Sequence, residues 1–246
     1  MESYIHPDFS RLLAHDGLSC FDDLWQLERN WFEPPNKRRS GTSGVCRKTW
    51  SDPATGAPSA FFLKFQENHC HREWRHPLAG SPTCHREAVN LSHFHGKGLP
   101  VQKLVYYHEQ RRRGRVRAIL ATEELRGEDL VACLRRNGLD GAMIESLAQL
   151  IHQLHYKVGF EHRSLYPKHV WIQDDRPLLI DLEQARPWRW WRMGSCRDDL
   201  EVFVRQLRKK FDVPPSDCLT LVRRYLELSR KSAMLARLAG KYGLRE

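Results

Sequence analysis

A chain of 246 residues with 41% hydrophobic content can bury a substantial core, which excludes a disordered tail. Its formal net charge of +10, from 40 Lys and Arg against 30 Asp and Glu, directs it toward anionic partners: nucleotide phosphates, anionic lipid or glycolipid, or nucleic acid. No apolar run approaches the roughly 20 residues of a membrane span, residues 1–10 carry acids and Pro7 in place of a signal segment, and seven cysteines without a CxxC pair suit reduced thiols, so the cytosol is the expected compartment.

Residues 21–31 are apolar at Leu24, Leu27 and Trp31, which predicts a short amphipathic helix ending before Pro34 and Pro35. Residues 36–45 form a small-residue turn between extended segments, where Gly41 and Gly44 would let backbone amides approach an anion closely. Alone, such a turn is an ordinary polar hairpin. Residues 60–65, Ala-Phe-Phe-Leu-Lys-Phe, read as a strand interrupted by the single cation Lys64. Residues 85–95 place Ala88, Leu91 and Phe94 on one helical stripe, with Glu87 on a neighbouring face. A strand lysine and a glutamate on a helix behind it can form an ion pair that positions the lysine on phosphates. Residues 100–108 and 116–122 alternate around the basic turn at 111–115, a hairpin pattern.

After a connector at residues 122–127, which holds Glu124, the period becomes helical, strongest at Met143, Ile144, Leu147, Leu150, Ile151 and Leu154. Strands with one helix, followed by helices, predict an α+β fold of two lobes, residues 1–122 and 123–246, with a cleft between them. The long helix should end near Gly159. Residues 162–169 then spell His-Arg-Ser-Leu-Tyr-Pro-Lys-His, and two extended runs, 169–173 and 177–182, flank a turn at Asp174, Asp175 and Arg176. The second run carries Asp181. Helices are predicted near 197–211, 215–228 and 231–242.

Six segments, in order over about residues 35 to 205, carry a resemblance: Phe62-Leu63-Lys64, Arg86-Glu87, Thr122-Glu123-Glu124-Leu125, Leu165-Tyr166-Pro167-Lys168-His169, Leu179-Ile180-Asp181-Leu182-Glu183 and Arg197-Asp198-Asp199-Leu200. Together they resemble the lipopolysaccharide kinase family in its InaA-like branch, related to the WaaP heptose kinases of Gram-negative bacteria and more distantly to protein kinases. The resemblance implies a protein-kinase-like fold, with a small β-rich N-terminal lobe, a mainly helical C-terminal lobe and an ATP cleft between. It implies that Gly41, Gly44 and Lys64 hold nucleotide phosphates, that Glu87 pairs with Lys64, and that Glu124 lies beside adenine. His162, Ser164 and Asp181 would be catalytic, and Asp181 with His169 would bind Mg²⁺. Imidazole suits Mg²⁺ less well than oxygen donors, so Asp181 and phosphate oxygens should carry most of the metal.

The activity so implied is ATP-dependent phosphorylation of a sugar, heptose of the lipopolysaccharide inner core. The acceptor would be the core itself or a lipid-linked sugar, met at the inner face of the inner membrane, and no nucleic acid is expected. Ser164 departs from this pattern, because it stands where the catalytic aspartate belongs. Serine can hydrogen-bond an acceptor hydroxyl but is no base at neutral pH, and losing general-base help costs about 10² to 10⁴ in rate. Glu183 and Glu161 are the nearby acids that could replace it. A slow kinase and a catalytically impaired, kinase-like binding module are both compatible with the residues.

Three other groups have plain alternatives. His69, Cys70, His71, Cys84 and His85 lack the spaced pairs of a structural zinc site. His152 and His155 flank an apolar helix face and suit satisfied core or cleft histidines. Residues 186–192, Arg-Pro-Trp-Arg-Trp-Trp-Arg, could stack on sugars, bind phosphates or lie at a lipid surface, or the tryptophans could simply pin the loop to the helical lobe.

Overall fold

The computed structural model describes residues 3–38, 41–73, 76–188 and 194–229, and the chain divides into two units. Unit one comprises Met1–Ser92 with Gln102–Glu124, and unit two comprises His93–Val101 with Leu125–Glu246. Along the chain, β1 (Ser3–Ile5), α1 (Pro7–His15) and α2 (Phe21–Gln26) precede β2 (Trp31–Arg38), β3 (Gly41–Ser51) and β4 (Pro58–Glu67). The hairpin of β5 (Cys70–Glu73) and β6 (His76–Pro82) follows, then α3 (Thr83–Gly96), β7 (Leu104–Arg112) and β8 (Arg115–Glu123). Strands β1, β7, β8, β4, β3 and β2, in that spatial order, form one antiparallel sheet.

Alternation along β4 buries Phe61, Leu63 and Phe65 on one face and leaves Lys64 on the other. The buried face packs against α1, a helix not among the expected elements. Pro7 starts α1, His6 Nδ1 accepts the Asp8 amide at 3.3 Å, and Phe9, Leu12 and Leu13 form its buried stripe. The Phe9 ring lies 4.9 Å from Phe61 and 5.5 Å, edge-on, from Trp50, so aromatic packing centres this core.

The helix expected over 21–31 stops at Gln26, where Leu27 turns extended, and Trp31 instead opens β2. Pro34 and Pro35 lie inside that strand. Edge position makes this tolerable: β2 pairs with β3 alone, and its register shifts around the prolines.

Unit two contains β9 (Glu128–Asp129), α4 (Leu130–Asn137), α5 (Gly141–His152), β10 (Phe160–Glu161), β11 (Val170–Gln173), β12 (Arg176–Leu179), β13 (Arg186–Pro187), α6 (Gly194–Phe211) and α7 (Pro215–Leu228). Asp129 and Asp140 cap α4 and α5 by accepting the Ala132 and Met143 amides at 2.8 and 2.7 Å. A π-helical stretch, Gln153–Val158, extends α5 until Gly159 takes a left-handed φ of +81°. α5 packs on α7, with Leu147, Ile151, Leu221, Val222 and Tyr225 buried. The β11–β12 turn places Asp174 and Asp175 at φ +49° and +58°, the paired left-handed residues of a tight hairpin.

Two expected strand segments are shorter than predicted. His169 lies in the 3₁₀ turn Pro167–His169, and β12 ends at Leu179 because Asp181 adopts φ +57°, from which a strand cannot continue. The helix expected at 231–242 lies outside the described residues. No helix among the described residues is long and apolar enough to cross a membrane, and all seven cysteines are free thiols.

Candidate functional site

In unit one the central strand β4 presents Lys64 opposite Val45 of β3 and Leu120 of β8. Lys64 Nζ meets Glu87 Oε2 at 2.5 Å, with the lysine side chain 20% exposed and the glutamate 7%. Gln66, two residues along the same face, ties together the elements that carry this pair. Its amide nitrogen donates to Thr83 Oγ1 (2.8 Å) and Ser43 Oγ (3.2 Å), and its oxygen accepts the Cys84 amide (3.1 Å). One buried side chain thus moors the start of α3 to β4 and β3, and with it Glu87. Sequence reading passed Gln66 over, although a lone amide in an apolar strand was its available signal.

The turn expected over 36–45 is mostly strand: β2 runs to Arg38 and β3 starts at Gly41, so Gly41 and Gly44 are strand residues, paired with Arg38 and Phe65, and both have packing reasons. A Cβ on Gly41 would fall 2.2 Å from the Asn68 carbonyl carbon, and one on Gly44 would fall 2.7 Å from the Trp31 ring. Glu124 is engaged elsewhere: its carboxylate accepts Arg47 Nε at 2.6 Å and Nη2 at 2.8 Å, which holds its pKa below the usual carboxylate value. Its backbone N–H donates to Ala60 O at 2.8 Å.

In unit two the loop at 162–169 hangs on one buried carboxylate. Asp199, on α6, accepts the His162 amide at 2.5 Å and the Arg163 amide at 2.8 Å. These bonds hold Arg163 at a left-handed φ of +67°. Behind Asp199, His155 offers Nε2 at 3.4 Å and shares a 2.7 Å hydrogen bond between Nδ1 and the Tyr225 hydroxyl, so His155 is a satisfied core histidine. Asp198 beside it is 66% exposed. The sequence offered two adjacent acids and no signal for which turns inward.

Hydrogen-bond partners assign both loop imidazoles. Burial pushes the pKa of His162 and of His169 down, favouring neutral rings. His162 Nε2 faces the Ile180 carbonyl at 3.2 Å and must carry its proton there, which leaves Nδ1 to accept the Ser164 hydroxyl at 3.3 Å. His169 Nδ1 donates to Ser164 O at 2.8 Å, so Nε2 is the bare nitrogen, and it lies 3.3 Å from Asp181 Oδ2. Two acceptors converging at that distance call for a cation between them, or a proton. Among the described residues no group of three or more His, Cys, Asp or Glu is placed to share a metal. The chain's own donors here are therefore one carboxylate and one imidazole, a set that suits an ion taking its other ligands from phosphate oxygens and water.

Glu161 faces the Arg163 guanidinium at 3.8 Å, and Glu183 follows Asp181 in the 3₁₀ turn Leu182–Gln184. Of the indoles in residues 186–192, Trp188 pins its segment to unit two: its Nε1 donates to His155 O at 2.5 Å and its backbone N–H to Gly159 O at 3.0 Å. Trp190 and Trp191 lie outside the described residues.

Comparison with known proteins gives three findings. The model of the lipopolysaccharide kinase (Kdo/WaaP) family matches residues 22–225. Protein InaA of Escherichia coli (strain K12) is 25% identical over 177 residues, covering 68% of this chain and 78% of InaA. A solved structure of WaaP in complex with acyl carrier protein matches with a TM-score of 0.65 at 21% identity, over 100% of both chains. The fold is the kinase-like fold of WaaP, a β-sheet N-terminal region followed by a mainly helical one.

Proposed function

The chain belongs to the lipopolysaccharide kinase (Kdo/WaaP) family, and from that membership we propose that it transfers phosphate from ATP to a sugar of the lipopolysaccharide inner core, a heptose or its lipid-linked form. The carrying observation is the Lys64–Glu87 pair, a strand cation held by a buried carboxylate, the arrangement that positions the phosphate-binding lysine in protein-kinase-like sites. Bound Mg²⁺ supplies charge neutralisation at the transferring phosphate. Lys64 binds the nucleotide phosphates. Asp181 and His169 are the metal ligands in this reading, with Gly41, Gly44 and the Glu124 connector around the nucleotide. Ser164 orients the acceptor hydroxyl, its own proton directed to His162 Nδ1. Positioning and electrostatics, not proton abstraction, then carry the rate, and turnover is slow. The working location is cytoplasmic, in peripheral contact with the inner membrane.

Ser164 supports a second reading, a nucleotide-binding module that recognises lipopolysaccharide intermediates or regulates a partner kinase. Thermal denaturation with Mg-ATP and phosphate transfer from labelled ATP to core oligosaccharide separate the two. Stabilisation with transfer, both lost in Lys64→Ala and Asp181→Ala, supports the kinase; stabilisation without transfer supports the module. An intact protein that binds no nucleotide ends both.

A further inference from the structure

Beside the catalytic loop, wholly within unit two, lies a cavity of about 420 Å³ that neither imidazole nor Asp181 lines. We propose that it seats an anionic group, a phosphate or carboxylate, on the glycan whose hydroxyl reaches Ser164; the second half of that statement rests on the kinase reading. Three cations line it from three separate elements: Arg135 from the last turn of α4, Lys168 from the turn Pro167–His169, and Lys210 from the last turn of α6. Its one carboxylate, Asp129, is already accepting the Ala132 amide as a helix cap at 2.8 Å.

Cations in a last helical turn complement the helix dipole, which is an ordinary reason for Arg135 and Lys210. That reason covers neither Lys168 nor the convergence of all three on one hollow. Exposed cations without an ion pair occur elsewhere, as at Lys209 and Arg205; what marks Arg135, Lys168 and Lys210 is that all three line one cavity. Arg136, next to Arg135, pairs with Glu128 at 2.5 Å, and Arg47, Arg117 and Arg224 each pair with a glutamate. Among the described residues Arg135, Lys168 and Lys210 form no ion pair. The charge lining the cavity is therefore three positive to one negative, with no internal counter-ion beyond the cap.

The rest of the lining suits a sugar. Tyr166 and Phe211 supply aromatic surface for the apolar face of a pyranose, and the volume falls within the range of small-molecule sites, about 300 to 1,000 Å³. Position connects the cavity to the chemistry. Ser164 O accepts both the Tyr166 amide, at 2.9 Å, and His169 Nδ1–H, at 2.8 Å, so the residues walling the cavity and the residue at the acceptor position share one braced loop.

Calorimetric titration of the full chain with mannose 6-phosphate, glucuronate and mannose tests the proposal without requiring turnover. At least one anionic sugar should bind about tenfold or more tightly than mannose, as one or two charge-assisted hydrogen bonds would give. The anion that gains more identifies phosphate or carboxylate as the group recognised. The double variant Arg135→Ala, Lys210→Ala should lose that preference and keep its stabilisation by Mg-ATP. If the double variant fails to fold, salt provides the measurement: the wild-type preference should collapse between about 0.05 and about 0.5 M NaCl. Equal affinity for all three sugars, no binding of any, or a preference that survives the double substitution or high salt overturns the cavity assignment. A preserved anion preference in a protein that shows no nucleotide binding would overturn the kinase reading instead.

Discussion

The two clusters of candidate residues differ in how their charges are settled. In unit one, Lys64 and Glu87 neutralise each other at 2.5 Å, and Gln66 ties the two elements that carry them. In unit two, Asp181 Oδ2 and the bare Nε2 of His169 face each other at 3.3 Å as two acceptors, while Asp199 accepts the His162 and Arg163 amides of the adjoining loop. A settled pair serves the folded state as well as any ligand. A converging pair of acceptors serves a ligand at the expense of the folded state, the usual relation between stability and function at an active site. Substitutions should therefore separate the clusters by the sign of their effect on the unliganded protein.

The largest effect should come from the support beneath the second cluster. Asp199→Ala removes the acceptor of two backbone amides and the partner of His155, leaving buried donors unsatisfied. About 3 to 5 kcal/mol of stability should be lost in urea denaturation, together with any phosphate transfer. A loss below about 1 kcal/mol would show that the loop holds its shape without Asp199.

Next in size is the contrast itself. Lys64→Ala leaves the Glu87 carboxylate without this cation and should cost about 1 to 3 kcal/mol, and it should abolish Mg-ATP stabilisation. Asp181→Asn, by contrast, lets the amide donate to His169 Nε2, so the unliganded protein should keep or slightly gain stability while losing Mg²⁺-dependent nucleotide binding. Equal destabilisation by both changes would erase the distinction between the clusters. Gly41→Ala belongs between them: a Cβ set against the Asn68 backbone should cost about 1 to 3 kcal/mol whether or not nucleotide is present, because the conflict is with the protein itself.

These differences explain which parts of the molecule were legible beforehand. Lys64 stood out as one cation in an apolar strand, and Ala88, Leu91 and Phe94 share a helical period, because strand and helix faces are written locally. The Tyr-Pro-Lys-His and Ile-Asp-Leu-Glu motifs were legible by resemblance. Tertiary context decides most of what was missed. Pro34 and Pro35 read as a break until β2 proves to be an edge strand, and Asp198 and Asp199 are chemically alike until α6 turns one of them inward. The short helix α1 was missed although its signal was local: Pro7 opens it, Phe9, Leu12 and Leu13 stand at helical spacing, and the aromatic cluster it covers fixes its place.

The smallest expected effect, a pH slope, sharpens the comparison from the histidine side. Burial lowers the pKa of His162 and His169 in the folded protein below the ordinary value of about 6.5, partly opposed by Asp199 at His162 and by Asp181 at both. Below that value the unfolded chain binds protons that the folded chain refuses, so stability rises with pH across the window. The contribution is complete above about 6.5 and is lost as the pH falls from there through the folded-state values. Urea midpoints should thus decrease from pH 7.5 to pH 5.5, with a smaller decrease in His162→Gln. Mg-ATP should deepen the decrease if His169 binds metal through Nε2, since the ion and the proton then compete for one lone pair. A slope indifferent to Mg-ATP would assign the metal to Asp181 without His169.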